Sequence, residues 1–228
     1  MGRSPHLDMR YSSTGPLVLD GLNIKISGGS NVGIVGRTGS GKSSILLTLF
    51  RVSEYSGKVL LDGVDISSLP VSYLRSKIGI IPQDTVVYRG TLRDNLSFST
   101  GTPGRRATDE ECADAMRAAA PGLMEKLEEK GGLDADLMGG AGLSVGEKSL
   151  ISLARCVLKK NISNIKLLAI DEVSSALDPV TSGIVERVVL ERFVRDGCTV
   201  MEVRHREYRD GLYDRVLEMR NGKAKDVG

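Results

Sequence analysis

Short apolar runs alternate with longer helical segments along this chain of 228 residues. Four of the runs have the length and composition of buried parallel strands. They are NVGIV (31–35), IGII (78–81), IKLLAI (165–170) and CTVMEV (198–203). Because strands that alternate with helices form parallel sheets, the pattern predicts an α/β fold with a parallel core sheet.

Two further segments have the patterns of antiparallel structure. Residues 17–26, LVLDGLNIKI, alternate between apolar and polar positions as a half-buried strand does. Residues 57–66, GKVLLDGVDI, predict a β-hairpin that turns at Asp62 and Gly63, since Asp-Gly is a favoured two-residue turn. Together these segments predict an antiparallel β flank beside the parallel sheet.

A helical and polar segment, from about residue 90 to residue 160, separates the second and third predicted core strands. Within it, Thr108 and Glu111 have the spacing of a capping box, and apolar residues follow at helical intervals. Those residues are Cys112, Ala115, Met116 and Ala119. We interpret this periodic face as core packing rather than a ligand site, because any buried helix has such a face.

This organisation predicts a single domain over residues 1–228. Its core would comprise about 9–89 and 161–228, with the helical segment inserted as a subdomain. The joints near 83–90 and 135–145 contain glycine and could act as hinges.

Composition excludes several functional classes. The 31 Lys and Arg residues balance the 29 Asp and Glu residues, and aromatic residues make up only 4%, with no Trp. Since nucleic-acid binders carry a basic excess or a basic stripe with aromatics, we expect no nucleic-acid partner.

The three cysteines form no CxxC pair, which argues against a disulfide framework or a zinc site. No apolar run approaches the roughly 18 residues of a membrane span, so we expect a soluble chain.

The strongest chemical signal is the phosphate loop, residues 36–43 (GRTGSGKS), between the strand NVGIV and a helical run. This G-x-x-x-x-G-K-[ST] pattern lets successive backbone N–H groups turn toward one anion at a helix N-terminus. Lys42 would supply a charge to the β and γ phosphates, and Ser43 a hydroxyl to Mg²⁺. We predict nucleoside triphosphate binding by Gly36, Arg37, Thr38, Gly39, Ser40, Gly41, Lys42, Ser43 and Ser44.

A pair of acids supports this prediction. Asp171 and Glu172 directly follow the apolar run LLAI (167–170), which places them at the carboxyl end of a buried strand, where α/β folds bind ligands. Asp171 would hold Mg²⁺ through water, and Glu172 would align or deprotonate the attacking water. An apolar strand ending in acids is a weak signal alone, but it gains weight beside a phosphate loop.

Five further features occur in a fixed order: Tyr11 about 25 residues before the phosphate loop, Gln83 in IPQD, LSVGE (143–147), SALD (175–178) and His205. With the phosphate loop and the acids, they make this chain resemble the ATP-binding cassette (ABC) family. The resemblance covers nearly the whole chain. It implies a P-loop NTPase core with a parallel sheet, an antiparallel β flank and an inserted helical signature subdomain, the ABC ATPase fold.

The resemblance also implies a role for each feature. Tyr11 matches the aromatic residue that stacks on adenine, although it could be merely an exposed strand tyrosine. Gln83 matches the residue that touches Mg²⁺ and water and moves with the γ-phosphate. Ser144 and Gly146 belong to the signature segment, residues 143–147, which contacts the γ-phosphate held by a partner cassette.

The last two features are Asp178 and His205. Asp178 matches a residue that crosses the dimer interface, and it can at the same time cap the helix that begins at Pro179. His205 matches the histidine that hydrogen-bonds the γ-phosphate and completes the implied catalytic set with Lys42, Gln83 and Glu172.

Two positions depart from the family pattern. The signature usually ends in Gln, and here Glu147 stands there; its carboxylate would repel phosphate unless it turns away or pairs with a cation such as Lys148. Arg204 and Arg206 flank His205, where the family more often has a small residue at the first position. The added positive charge either favours nucleotide or lies on a solvated surface.

Within the family, IPQDTVVYRGTLRDNL resembles the exporter pattern, and LSVGE with LARCVL is similar to the second nucleotide-binding domain of C-subfamily, multidrug-resistance-associated exporters. The implied function is ATP hydrolysis with Mg²⁺ at the cytoplasmic face of a membrane, in partnership with a second cassette and with transmembrane domains. Two alternatives stay open: an ATP-sensing module without turnover, and a soluble ABC ATPase outside transport, such as a DNA-repair or translation-factor cassette.

Overall fold

The computed structural model describes residues 6–98, 105–173, 177–204 and 211–227. In chain order the strands are β1 (Leu7–Met9), β2 (Leu19–Leu22), β3 (Asn31–Gly36), β4 (Tyr55–Ser56), β5 (Leu60–Leu61), β6 (Val64–Asp65), β7 (Ile78–Ile81), β8 (Leu167–Asp171), β9 (Thr199–Arg204), β10 (Arg215–Arg220) and β11 (Lys223–Asp226). The α-helices are α1 (Lys42–Leu49), α2 (Val71–Ser76), α3 (Leu92–Ser97), α4 (Asp109–Ala119), α5 (Pro121–Glu128), α6 (Val145–Ser163) and α7 (Pro179–Val189).

A six-stranded sheet in the order β11-β10-β3-β9-β8-β7 forms the centre of the molecule. Neighbouring strands run parallel except for the edge pair of β10 and β11. The four apolar runs of the sequence are β3, β7, β8 and β9, so the predicted parallel core sheet is confirmed. Its parallel strands bring the ends of β3, β8 and β9 to one edge, which is where the candidate site lies.

The antiparallel flank is also present, but the prediction of one strand over residues 17–26 is wrong in length. Only Leu19–Leu22 pairs, in a three-stranded sheet of order β2-β1-β4. Ile24 and Ile26 keep the apolar alternation and pack on the core, but β1 is three residues long and offers them no backbone partner. The hairpin is confirmed, because Leu61 pairs with Val64 across the turn.

Two hydrophobic cores lie on the two faces of the central sheet. Since successive strand residues face opposite ways, Leu168 and Ile170 of β8 join the core beneath α4, α6 and α7. Leu167 and Ala169 join the other core, with α1, α2 and the antiparallel flank. The sheet is thus covered on both sides, as its run of apolar residues predicted.

The helical segment holds α3, α4, α5 and most of α6, which runs to Ser163, beyond the expected limit near residue 160. Thr108 and Glu111 form the predicted capping box at the start of α4. The two glycine-containing joints are paired with each other: Leu92 N donates to Ala135 O, and Leu137 N donates to Gly90 O. The base of the helical segment is therefore tied together by backbone hydrogen bonds.

Candidate nucleotide-binding site

The phosphate loop connects β3 directly to α1. Gly36 has φ 156° and Gly41, the N-cap of α1, has φ 102°, both in the region that favours glycine. A Cβ atom on Gly36 would lie 2.6 Å from the Met219 carbonyl oxygen, so a larger residue cannot occupy this position without a shift of β10. The backbone N–H groups at the start of α1 are thereby left facing the loop.

Four side chains meet at this edge of the sheet. Lys42 is only 4% exposed, and its Nζ donates to the carbonyl oxygens of Gly36 (3.0 Å) and Arg37 (3.2 Å). The same Nζ lies 3.3 Å from Glu172 Oε1. Ser43 Oγ donates to Asp171 Oδ1 over 3.0 Å. The predicted lysine, serine and two acids are therefore brought together.

The two acids reach this place because β8 ends at Asp171 between β7 and β9. Burial raises the pKa of Asp171; the hydrogen bond from Ser43 opposes this rise, and the neighbouring Glu172 adds to it. Glu172 follows with a positive φ of 50°, and its N–H donates to Val203 O. The turn that aims Glu172 toward Lys42 is thus held by β9.

The donor groups of this site fit a magnesium nucleotide. Ser40 Oγ, in the phosphate loop, is buried without a hydrogen-bond partner, and Lys42 is a buried cation, so both can serve an incoming anion. Hydroxyl and carboxylate oxygens, as on Ser43 and Asp171, are the ligands that Mg²⁺ prefers. No group of three or more His, Cys, Asp or Glu side chains among the described residues could hold a metal ion alone.

Tyr11 lies beside the first turn of α1. Its hydroxyl is 2.8 Å from Ser44 Oγ, and its side chain is 64% exposed. It follows β1 in a bend rather than standing within a strand. The phenol is thus anchored next to the phosphate loop while its ring remains open to solvent, which leaves a face for an adenine base.

Of the remaining predicted catalytic residues, the structure describes only Gln83. Gln83 lies in an exposed bend two residues after the end of β7, at the same edge of the sheet as Asp171. His205, and Ser175 and Ala176 of the SALD motif, lie outside the described residues.

The polar groups of the signature segment pair with one another and with α5. Ser144 is the N-cap of α6 and forms a capping box with Glu147: Ser144 Oγ accepts from Glu147 N (3.1 Å), and Ser144 N donates to Glu147 Oε2 (2.8 Å). The other carboxylate oxygen lies 2.5 Å from Lys126 Nζ on α5. Burial alone would raise the pKa of Glu147, but the hydrogen bonds from Lys126 and Ser144 outweigh it and lower that pKa. Glu147 therefore pairs with a cation, as one of the two sequence alternatives required, but that cation is Lys126 on α5 rather than the adjacent Lys148.

Gly146 and Asp178 lie against each other where α6 and α7 begin. A Cβ atom on Gly146 would be 3.2 Å from Thr181 and 3.6 Å from Asp178 Oδ2. Asp178 caps α7 as predicted, because its carboxylate accepts from the backbone N–H groups of Val180 and Thr181 and from the Thr181 hydroxyl. The signature segment therefore contacts the start of α7.

Two charged pairs were not identified from the sequence, for different reasons. Lys126 lies 21 positions before Glu147 on a separate helix, so no local spacing connects them. Glu202 and Arg204, by contrast, are opposite charges two residues apart on β9, and strand periodicity places them on one face. That pairing was available from the sequence once β9 was assigned.

Comparisons with known proteins identify the family of this chain. The family model described as ABC transporter matches residues 19–175. The human protein "ATP-binding cassette sub-family C member 4" is 37% identical over 97% of this chain and 16% of its own length. The yeast protein "Oligomycin resistance ATP-dependent permease YOR1" (Saccharomyces cerevisiae) is 34% identical over 97% of this chain and 15% of its own length. The chain thus spans about a sixth of the length of these relatives.

A solved structure gives the same result at the level of the fold. "Structure of a bacterial Atm1-family ABC exporter with ATP bound" superposes with a TM-score of 0.81 at 29% identity, over 98% of this chain and 38% of that one. Among the helices that the structure describes, none combines the length and the apolar character needed to cross a membrane. The chain belongs to the ABC transporter family, in which it corresponds to a nucleotide-binding domain.

Proposed function

We propose that this chain binds and hydrolyses MgATP and that its hydrolysis drives a membrane exporter. The observation that carries the proposal is the convergence of Lys42, Ser43, Asp171 and Glu172 at one edge of the central sheet. Each type of group needed for phosphoryl transfer to water is present there: a cation for the phosphates, oxygen ligands for Mg²⁺ and a carboxylate for the water.

Within the site, Ser43 and Asp171 would hold Mg²⁺, which when bound neutralises charge on the β and γ phosphates. Lys42 would stabilise the same charge as it grows in the transition state. Glu172 would orient the attacking water and accept its proton. Gln83 and His205 are proposed to contact the metal-bound water and the γ-phosphate, respectively, as the family resemblance implies.

The ion pair of Lys42 and Glu172 suggests how binding prepares the base. Their atoms lie 3.3 Å apart, and both side chains are largely buried. A phosphate group would compete with the carboxylate for Lys42, because it carries more negative charge. Glu172 would then turn from the lysine toward the water, so that nucleotide binding and activation of the base occur together.

The signature segment is proposed to act on ATP held by a second cassette. Its residues contact α7 rather than the local phosphate loop, and the N-terminus of the 19-residue helix α6 favours an anion. Two phosphate-loop sites would then be shared between two cassettes. Closure of the pair by ATP, and opening after hydrolysis, would supply the mechanical step of transport.

A groove of about 510 Å³ beside the Gln83 segment is the proposed contact for transmembrane domains. Tyr88 and Phe98 are exposed there, with ring centroids 5.4 Å apart. Arg155 of α6 donates a hydrogen bond of 2.8 Å to the carbonyl oxygen of Val86, which lies three residues after Gln83. This bond connects the signature helix to the groove. This arrangement would place the chain at the cytoplasmic face of a membrane through its partners, as in an exporter of the C subfamily.

A binding and hydrolysis assay tests the proposal. A fluorescent ATP analogue with Mg²⁺ should bind the wild-type chain, and Lys42→Ala should weaken binding by about 100-fold, or roughly 2.7 kcal/mol. Lys223→Ala is the matched control, because Lys223 is an exposed lysine paired with Asp20. Equal binding by wild type and Lys42→Ala would contradict the site. Binding without turnover at every protein concentration would instead favour an ATP-sensing module.

A further inference from the structure

One hydrogen bond joins Tyr11 to the helix that follows the phosphate loop. The hydroxyl groups of Tyr11 and Ser44 lie 2.8 Å apart, although 33 positions separate the two residues in the chain. Ser44 is 3% exposed, whereas Tyr11 is 64% exposed. The bond therefore connects a buried position in the first turn of α1 to an aromatic side chain that lies mostly in solvent.

The backbone around Tyr11 is held without the help of this bond. Tyr11 lies in the loop between β1 and β2, and Val18 N closes this loop by donating to Met9 O over 2.8 Å. Inside the loop, the Arg10 guanidinium donates to Gly15 O over 2.6 Å. These contacts fix the course of the chain on both sides of Tyr11, but none of them involves its phenol ring.

The same loop also touches the phosphate loop directly. A Cβ atom on Gly41, the N-cap of α1, would lie 3.0 Å from Val18 O, so the two backbones are in close contact there. The start of α1 thus meets the β1–β2 loop twice, at Val18 through the backbone and at Tyr11 through the hydroxyl of Ser44. Within the part of the chain that the structure describes, the bond to Ser44 is the only hydrogen bond of the Tyr11 side chain.

The hydroxyl bond decides the direction of the Tyr11 side chain. An aromatic side chain turns about two torsion angles and occupies several rotamers when it is exposed on a fixed backbone. A hydrogen bond at the phenol oxygen selects the rotamer that points to α1. The side chain is then ordered when the chain folds, so a base that binds to the ring does not have to order it and binds more tightly.

We propose that Ser44 is a positioning residue for base recognition: its hydroxyl holds the Tyr11 ring beside the phosphate loop, in the orientation that stacks on the base of the nucleotide. This inference rests on the proposed binding of ATP and on the stacking role that the family resemblance implies for Tyr11. A hydroxyl donates one hydrogen bond and accepts up to two, so Ser44 Oγ can accept from Tyr11 while it donates to a phosphate oxygen. The base and the phosphates would then be bound at a fixed separation.

A ligand without a base separates this role from a general effect on the site. Magnesium tripolyphosphate has three linked phosphates but neither ribose nor base, and a non-hydrolysable ATP analogue with Mg²⁺ has all three parts. Isothermal titration calorimetry gives the Kd of each ligand for each variant. We define the base ratio as the Kd of tripolyphosphate divided by the Kd of the ATP analogue, so that contacts with the phosphates largely cancel.

The single variants should lower the base ratio to different extents. Tyr11→Ala removes the ring and should lower the ratio by roughly 5- to 150-fold, the range of base stacking on aromatic side chains. Tyr11→Phe keeps the ring but not the hydroxyl and should lower it by about 2- to 10-fold, the effect of one side chain that must be ordered on binding. Ser44→Ala should lower the ratio as much as Tyr11→Phe does. Tyr73→Phe, which removes a hydroxyl from an exposed tyrosine of α2, is the matched control and should match the wild type.

The double variant Tyr11→Phe with Ser44→Ala tests whether the two hydroxyls act through one bond. Both single changes remove the same bond, so the double variant should lower the base ratio no further than either one alone. Losses that multiply would mean that the Tyr11 hydroxyl acts independently of Ser44, for example by contacting the base itself. That result would overturn the inference.

A merely structural role predicts a different pattern. If the bond only attaches the β1–β2 loop to α1, then Tyr11→Phe should weaken tripolyphosphate and the ATP analogue by the same factor and leave the base ratio unchanged. The inference instead predicts that Tyr11→Phe binds tripolyphosphate within about twofold of wild type, because the phosphate loop keeps its contacts. An equal weakening of both ligands would overturn the inference.

The outcomes also distinguish the inference from the proposed function. A wild-type chain that binds neither ligand would overturn the proposed function and the inference with it. A wild type that binds both, with a base ratio that Tyr11→Ala leaves unchanged, would overturn the stacking role of Tyr11 and again the inference. A base ratio that falls in Tyr11→Ala but stays at the wild-type value in Tyr11→Phe and Ser44→Ala would overturn the inference alone.

Discussion

The phosphate loop and the signature segment both lie at the start of a helix, yet their polar side chains find their hydrogen-bond and ion-pair partners in different places. Lys42 and Ser43 of the phosphate loop reach across to the acids at the end of β8, and Ser40 Oγ is buried without a partner. Ser144 and Glu147 of the signature segment close on each other in a capping box, which Lys126 completes.

This difference indicates which contacts are able to rearrange. The contacts of Lys42 and Ser43 with the acids of β8 join residues far apart in the chain, and a bound phosphate and Mg²⁺ would replace them. The bonds of the signature segment are local and would persist when a ligand approaches from outside. We therefore expect changes in the phosphate loop to alter binding within one chain, and changes in the signature segment to alter only hydrolysis that requires two chains.

The largest expected effect is that of Glu172→Gln. Without the carboxylate that accepts a proton, hydrolysis should fall by roughly 10²- to 10⁴-fold. MgATP binding should persist, because Lys42 keeps its contacts and loses only a competitor. Phosphate release and binding of a fluorescent nucleotide measure the two quantities. Glu218→Gln, which makes the same replacement at a carboxylate of β10 paired with the exposed Arg220, serves as control. A hydrolysis rate of Glu172→Gln equal to wild type would remove Glu172 from the mechanism.

The second effect is expected from Ser144→Asp, with Ser144→Asn as its matched control. Both replacements are good N-caps, so α6 should remain equally stable in each. Asp places a negative charge where the partner's γ-phosphate would lie, and hydrolysis at high protein concentration should fall by about 10- to 100-fold. Asn should retain most of the activity. Equal behaviour of the two variants would argue against phosphate contact at this position.

A smaller effect is expected from Lys126→Ala. Loss of this cation leaves the Glu147 carboxylate unneutralised beside the signature segment, and hydrolysis should fall by about fivefold, or roughly 1 kcal/mol, the scale of a partly exposed ion pair. Adding Glu147→Gln should restore the activity, since an amide needs no cation. Arg117→Ala, in an exposed pair with Asp114 on α4, is the control. A double variant as impaired as Lys126→Ala would show that Lys126 acts through something else.

The smallest effect concerns the nucleotide-free chain and its dependence on pH. Burial raises the pKa of Asp171 above its unfolded value, so the folded state binds the proton more readily than the unfolded state does. The contribution of Asp171 to the free energy of unfolding therefore rises as the pH falls through that raised pKa. Asp171→Asn should therefore make the free chain slightly more stable at neutral pH while weakening its Mg²⁺-dependent nucleotide binding. Denaturant unfolding with and without MgATP measures both; lower stability without nucleotide would contradict the burial argument.

The parts of the fold that follow from local pattern could be predicted from the sequence. Apolar runs identified β3, β7, β8 and β9, and the Asp62-Gly63 turn identified the hairpin. The length of β2 could not be predicted, because it depends on how long its partner β1 is. The place of β10 beside β3 is likewise a matter of tertiary pairing.

The candidate site likewise contains some features that local sequence predicts and others that depend on tertiary packing. The phosphate loop and the acids of β8 have fixed spacings that reflect one function, so the sequence located them. The pairing of Lys126 with Glu147 depends on how α5 packs beside α6, so the sequence offered only the adjacent Lys148 as an example of a pairing cation. The contacts of Arg204 with Glu186 of α7 and with Tyr213 likewise depend on how these residues pack beside β9 in the folded chain.

A mixing experiment tests most directly the claim that the phosphate loop of one chain works with the signature segment of another. The Lys42→Ala chain lacks a working phosphate loop, and the Ser144→Asp chain lacks a working signature. Each alone should be nearly inactive in MgATP hydrolysis, whereas a mixture should regain activity through a site that pairs the intact phosphate loop with the intact signature. A mixture as inactive as its components, at concentrations where the wild type hydrolyses ATP, would contradict the account.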